Sequence, residues 1–153
     1  MLTRFSHAVI CVRDLDVSVD FYGKLGFKTF FEFTDDSPIV GAVLGLEIKK
    51  ARMAFMRLSD DPREPFLDIV QFIDPPSHGA PYPTLNNVGV GRLAFSVDDI
   101  DQTYQELQKI GVEFVTPLQR FTSPGGDDFA MVCFKDPDGT YLEIITRLSV
   151  DRR

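Results

Sequence analysis

His7, Asp68, Arg92 and Glu143 are ionisable residues set in runs that otherwise read as apolar strands. Burying such groups costs free energy unless they are paired, so they are the first candidates for chemistry. They also fall into two matched pairs. Arg92 stands 85 residues after His7, and Glu143 stands 75 residues after Asp68. An imidazole, two carboxylates and a guanidinium are groups that transfer protons or stabilise developing charge. Taken singly, each has a plain reading: a half-exposed strand histidine, two solvent-facing carboxylates, an arginine in a structural ion pair. Positions selected for packing alone rarely yield ionisable residues at both members of two symmetry-related pairs. The four are therefore read together, as one shared site where two copies of a repeated unit face each other.

The elements that would position these residues repeat with the same offsets. Residues 7–30 align with 92–115, matching Val12 with Val97, Asp14 with Asp99, Asp16 with Asp101, Lys24 with Lys109 and Gly26 with Gly111. Leu15, Val19, Tyr22 and Leu25 match Ile100, Tyr104, Leu107 and Ile110, spaced as one face of a helix. Asp14 and Asp99 suit the N-cap, and Gly26 and Gly111 suit the left-handed position that ends a helix. Residues 53–71 align with 128–146, matching Met56 with Met131, Asp61-Pro62 with Asp136-Pro137, and Phe66 to Ile69 with Tyr141 to Ile144. Each copy should therefore run βαβββ, ending in a strand, an Asp-Pro turn and another strand.

The first copy carries additional residues within 31–52. Its Gly-broken apolar segment 39–46 reads either as a flap or interface segment or as a plain longer loop. Four prolines between Asp74 and Pro83 can continue neither strand nor helix and mark a linker. The predicted class is α+β: two βαβββ modules, about 4–73 and 88–148, joined by linker 74–87 in a single domain 1–153, with mostly antiparallel sheets. Each helix would cover one sheet face, leaving the other to curve towards the second copy.

Composition narrows the partners. With 153 residues, 44% hydrophobic and 25% charged, the chain has an ordinary globular balance. A formal charge of −7 without a Lys/Arg cluster argues against nucleic acid and anionic membrane. No run approaches the length of a membrane span, and no signal-peptide pattern follows Met1. The two cysteines, Cys11 and Cys133, lie in strand-like runs and are expected as reduced core thiols in a cytoplasmic protein.

Three stretches together resemble the vicinal oxygen chelate superfamily, which includes glyoxalase I, methylmalonyl-CoA epimerase, extradiol dioxygenases and the bleomycin- and fosfomycin-resistance proteins. They are Ser6 to Val12 with Asp14, Phe21-Tyr22 and Leu25 to Phe27; Gly91 to Asp101; and Phe134 to Ile144, with its Asp-Pro-Asp-Gly turn and Leu-Glu pair. The resemblance covers nearly the whole chain. It implies a glyoxalase-like fold of curved sheets forming a cup, a small-molecule ligand and a homodimer. In metal-dependent members the pattern holds His at the start of each copy, a Glu, Gln or His in the last strand of the first copy and a Glu in the last strand of the second. His7 and Glu143 match it, Asp68 is one methylene short, and Arg92 breaks it. A guanidinium stays protonated and has no lone pair to give a metal, and its charge beside a divalent ion is unfavourable.

Two readings of the site follow. In the preferred one no cofactor is bound, and Arg92 assumes the electrostatic role, bridging Asp68 and Glu143 or clamping a carboxylate or enolate oxygen. In the other, His7, Asp68 and Glu143 still hold one divalent metal (Zn, Ni, Mn, Co or Fe), with His78 as a conceivable extra ligand and an exposed linker residue as its plainer reading. By resemblance the activity is that of an isomerase, epimerase or lyase moving a proton next to a carbonyl of a small oxygenated molecule. Glu143 would be the base, His7 its acid or base partner, Arg92 the oxyanion stabiliser, and Arg92 with Asp68 the ligand-binding residues. The alternative is a non-catalytic protein that sequesters a drug or metabolite in an aromatic groove, for which the Phe-rich stretch 27–33 is the pointer, although most of its rings read as core. An extradiol dioxygenase is a weaker third reading, because its Fe(II) triad needs the histidine that Arg92 replaces.

Overall fold

The computed structural model of the chain describes residues 1–148. They form two compact units, residues 1–79 and the part of the chain from Ala80 onwards. Among the described residues no helix is long and apolar enough to cross a membrane.

The first unit runs β1 (His7–Cys11), α1 (Leu15–Lys24), β2 (Lys28–Asp35), α2 (Pro38–Leu44), β3 (Lys50–Arg57) and β4 (Phe66–Asp74). The sheet order is β1-β4-β3-β2. Both hairpin-type pairs are antiparallel, but β1 lies parallel to β4. Asp14 starts α1 by accepting hydrogen bonds from the Asp16 and Val17 amides at 3.0 and 3.1 Å, which satisfies two of the free donors of the first turn. Gly26, at φ 99°, ends it.

The buried face of α1 is Leu15, Ser18 and Tyr22, with Val19 and Leu25 half-buried. The helix packs on β3 and β4, whose buried Ala54, Met56, Leu67 and Ile69 alternate with residues of the opposite face. On that opposite face Ala51, Met53 and Val70 form a second core cluster with Phe33, Val40, Ile48, Phe55 and Phe72.

Val40 comes from α2, so the extra segment of the first copy is a short helix whose inner side joins this cluster. Gly41 makes that possible: a Cβ there would lie 2.5 Å from the Leu46 carbonyl oxygen. Ile39 and Val43 face outwards, 65% and 78% exposed.

The second unit runs β5 (Leu93–Ser96), α3 (Ile100–Lys109), β6 (Glu113–Phe114), β7 (Gln119–Thr122), β8 (Asp128–Lys135) and β9 (Tyr141–Arg147). Its sheet order is β5-β9-β8-β6, with β7 also on β8 and β5 parallel to β9. Asp99 caps α3 through the Gln102 amide at 2.9 Å, and Gly111 follows it at φ 76°. Two short strands, β6 and β7, take the place of one long one, with Pro117 in the break. The architecture is thus α+β with two open sheets, each module following the predicted βαβββ order apart from α2 and this split.

The strand registers correct one alignment. Asp68 pairs with Phe55 across β3 and β4, and Glu143 pairs with Cys133 across β8 and β9. Cys133 is therefore the equivalent of Phe55, and Met131 of Met53, so the Met56–Met131 match slips by three residues. The longer turn between β3 and β4 absorbs the difference, while the 75-residue offset holds for β4 and β9.

Candidate functional site

Each unit brings together one pair of the predicted site residues. In the first unit His7 opens β1 and stands opposite Phe66, while Asp68 stands opposite Val9 on the adjacent β4. Strand alternation puts His7, Val9 and Cys11 on one sheet face with Phe66, Asp68 and Phe55. The His7 ring stacks on Phe66, with centroids 4.8 Å apart and planes at 18°, and its Nδ1 lies 3.0 Å from Ser6 Oγ. Asp68 is half-buried, and among the described residues its Oδ1 is a buried oxygen without a hydrogen-bond partner. Burial pushes the Asp68 carboxyl above the usual range, and the charge of His7 draws it back in part. The carboxylate thus holds a buried, unpartnered acceptor oxygen, and His7 on the neighbouring strand is exposed.

The same face carries an aromatic cluster that alternation does not predict. A β-bulge between Thr29 and Phe31 shifts the β2 register, so Phe30 and Phe31 gather with Phe33 and Phe66 around Phe55, with ring centroids within 6.0 Å of it. Phe30 and Phe31 are 43% and 53% exposed, so these two rings fall outside the core packing expected for most of the stretch. Cys11 is corrected likewise. It is exposed, because it lies on the face that α1 does not cover, and its Sγ donates to Ser77 Oγ at 3.4 Å. Both cysteines are free thiols. His78 is exposed and lines an apolar recess of about 240 Å³ with Cys11, Ile48, Phe72 and Ser77.

In the second unit Arg92 lies one residue before β5, and its Nε donates to Oε2 of Glu143 on β9. Glu143 is only 3% exposed, while the Arg92 side chain is 40% exposed. The start of β9 is held by the Asp-Pro-Asp-Gly turn: the buried Asp136 carboxylate accepts from the Asp138 and Thr140 amides at 3.0 and 2.7 Å. Cys133, directly across from Glu143, has its Sγ 3.6 Å from the same Oε2. Burial, then the Glu143 carboxylate, push the Cys133 thiol up, and Arg92 offsets this in part. Sequence comparison missed Cys133 because the alignment matched it to Leu58; only the strand register sets it beside the carboxylate.

The donor set does not fit a resident divalent metal. Glu143, the most buried of the proposed ligands, is already bound by a guanidinium that cannot give up its charge. Among the described residues no group of three or more His, Cys, Asp or Glu side chains is arranged to hold an ion. The open Oδ1 of Asp68 is a single acceptor, short of the three or four donors such an ion requires.

Comparison with known proteins agrees with the fold. The chain is 28% identical over 149 residues to a lactoylglutathione lyase of Pseudomonas aeruginosa, covering 92% of this chain and 81% of that one. It is 25% identical over 148 residues to the uncharacterized protein YwbC of Bacillus subtilis, covering 96% and 100%. Among solved structures, a glyoxalase family protein from Bacillus cereus superposes with a TM-score of 0.84 at 23% identity, covering 97% of each chain. The trypanothione-dependent glyoxalase I of Leishmania major superposes with a TM-score of 0.65 at 22% identity, covering 95% and 87%. The family model of the Glyoxalase/Bleomycin resistance protein/Dioxygenase superfamily matches residues 4–144, and the chain belongs to that superfamily.

Proposed function

We propose that this protein is a glyoxalase-like lyase or isomerase that moves a proton next to a carbonyl in a small oxygenated molecule, with Arg92 supplying the positive charge. The observation that carries the proposal is the hydrogen-bonded pair of Arg92 and the buried Glu143. Likeness to a lactoylglutathione lyase supports the reaction type.

Glu143 removes a proton from the carbon beside the carbonyl. As negative charge grows on the carbonyl oxygen, the guanidinium of Arg92 turns its donors towards it. That competition loosens the hold of Arg92 on Glu143 and frees the carboxylate to accept the proton. Where that carbon bears a hydroxyl group, Glu143 returns the proton to the former carbonyl carbon of the enediolate while the hydroxyl proton passes to the former carbonyl oxygen, which completes the isomerisation. The assignment from the repeat of His7 as acid or base partner and of Asp68 as a ligand-binding residue belongs to the same reading. Family folds of this kind often work as dimers on small ligands, and a cytoplasmic homodimer is part of this reading.

The test is proton exchange in D2O, followed by NMR with a panel of 2-oxo compounds. Exchange should survive EDTA and fall by roughly 100-fold or more in Glu143→Gln, in line with the usual contribution of a general base. Full exchange in Glu143→Gln would remove the assigned base.

The second reading is binding without chemistry, and the half-exposed rings of Phe30 and Phe31 around Phe55 favour it. It predicts tight, chelator-insensitive retention of an aromatic compound with no exchange in any variant.

A further inference from the structure

The second unit contains a cleft of about 380 Å³ beside Arg92, within the size range of small-molecule sites. Its walls include Tyr82, Val90, Leu93, Thr140 and Tyr141, and Arg92 is the only charged residue among those lining it. The wall is held from two sides. Tyr141 donates its hydroxyl to the Pro83 carbonyl at 2.8 Å, tying down the segment that carries Tyr82. Gly89, at φ 137°, lets the Tyr82 ring lie so close that a Cβ there would sit 3.1 Å from it.

The charge facing this cleft is positive although the Arg92–Glu143 pair sums to zero. The carboxylate is 3% exposed, whereas the arginine side chain is 40% exposed. A guanidinium carries five N–H donors, and the hydrogen bond to Glu143 uses the one on Nε. The donors on the two Nη atoms remain for a ligand, in the planar fork that matches a carboxylate. A monoanion adds one negative charge to this neutral pair, whereas a dianionic phosphate would add two against mostly apolar walls, the costlier burial.

We propose that this cleft binds a small organic monocarboxylate, its charged end on Arg92 and a flat apolar body against Tyr82 and Leu93. The proposal names the substrate class of the reaction above and so rests on Arg92 being the cation of the reacting site, its four Nη N–H donors shared between the ligand's carboxylate and the reacting oxygen.

The experiment compares phenylacetate with phenylacetamide by isothermal titration calorimetry, using the whole chain. The two probes share a body and differ in charge. Wild type should bind phenylacetate at least 10-fold more tightly, and raising the salt should narrow the gap. The double variant Arg92→Gln/Glu143→Gln, which removes both charges and leaves no buried carboxylate unpaired, should bind acid and amide equally. Tyr82→Ala should weaken both probes by a similar factor. Equal affinities in wild type, or a preference for the acid that survives in the double variant, overturn the proposal.

The two ideas fail separately. Phenylacetate binding retained in Glu143→Gln, with no proton exchange by wild type, keeps the cleft and removes the proton-transfer reading. Exchange that depends on Glu143, with acid and amide bound equally, does the reverse.

Discussion

Arg92 and Glu143 are 51 residues apart in the chain and meet as an ion pair in which the carboxylate is buried and the guanidinium half-open. Removing one partner of such a pair strands the other charge. Arg92→Ala should therefore destabilise the protein by about 2–3 kcal/mol at neutral pH, below the range for fully buried pairs because Arg92 is partly solvated. The double variant Arg92→Leu/Glu143→Leu should be more stable than Arg92→Ala alone. Urea unfolding of both checks this, and a double variant less stable than the single one contradicts it.

Asp68 sets a pH dependence of opposite sign to most paired carboxylates. Burial raises its folded-state value above that of the unfolded chain, so the folded protein holds this proton more tightly. The cost of burying the charge is absent below the unfolded value and grows as pH rises through the folded one. Asp68→Asn should thus stabilise the protein by about 1 kcal/mol at pH 7, in line with the cost of an unpaired buried polar group. The gain should shrink towards pH 3. A gain that widens on acidification has the wrong sign for this account.

Two glycines separate close packing from helix propensity. Gly41→Ala forces a Cβ to within 2.5 Å of the Leu46 carbonyl and should cost about 2 kcal/mol, as overpacking does. Gly23, within α1, has no atom within 4 Å of the added carbon, and Gly23→Ala should stabilise by about 0.5–1 kcal/mol. Thermal melts should move in opposite directions.

The two thiols should differ in reactivity. Cys11 is exposed, whereas Cys133 is half-buried with its thiol pushed up by burial and by Glu143. A thiolate reagent at pH 7 should label Cys11 first, with Cys133 slower by roughly 10-fold or more. Glu143→Gln should speed labelling at Cys133. Mass spectrometry of partly labelled protein reads both, and faster labelling of Cys133 in the wild type would count against the arrangement.

The Asp136 carboxylate orders the turn that leads into β9 through two backbone amides. Asp136→Ala should cost about 1–3 kcal/mol for two lost partners, and Asp136→Asn less, since its amide oxygen still accepts. Equal losses in the two variants would argue that the charge, not the acceptor, matters.

Much of the architecture follows from local chemistry. The caps Asp14 and Asp99, the stops Gly26 and Gly111, and the apolar helix faces act within a few residues, so their spacing alone located both helices and the repeat. The same repeat singled out His7, Asp68, Arg92 and Glu143. Its reach ended where pairing between strands begins. The bulge that exposes Phe30 and Phe31, the three-residue slip that sets Cys133 beside Glu143, and the sheet face that leaves Cys11 exposed are properties of register. Register depends on which backbone groups meet across a sheet, and a single strand carries no record of its partner. Residue types thus made charged positions legible; the tertiary structure decided that Arg92 pairs through its Nε with Glu143, because only folding brings a cation to a carboxylate 51 residues away and removes that carboxylate from water.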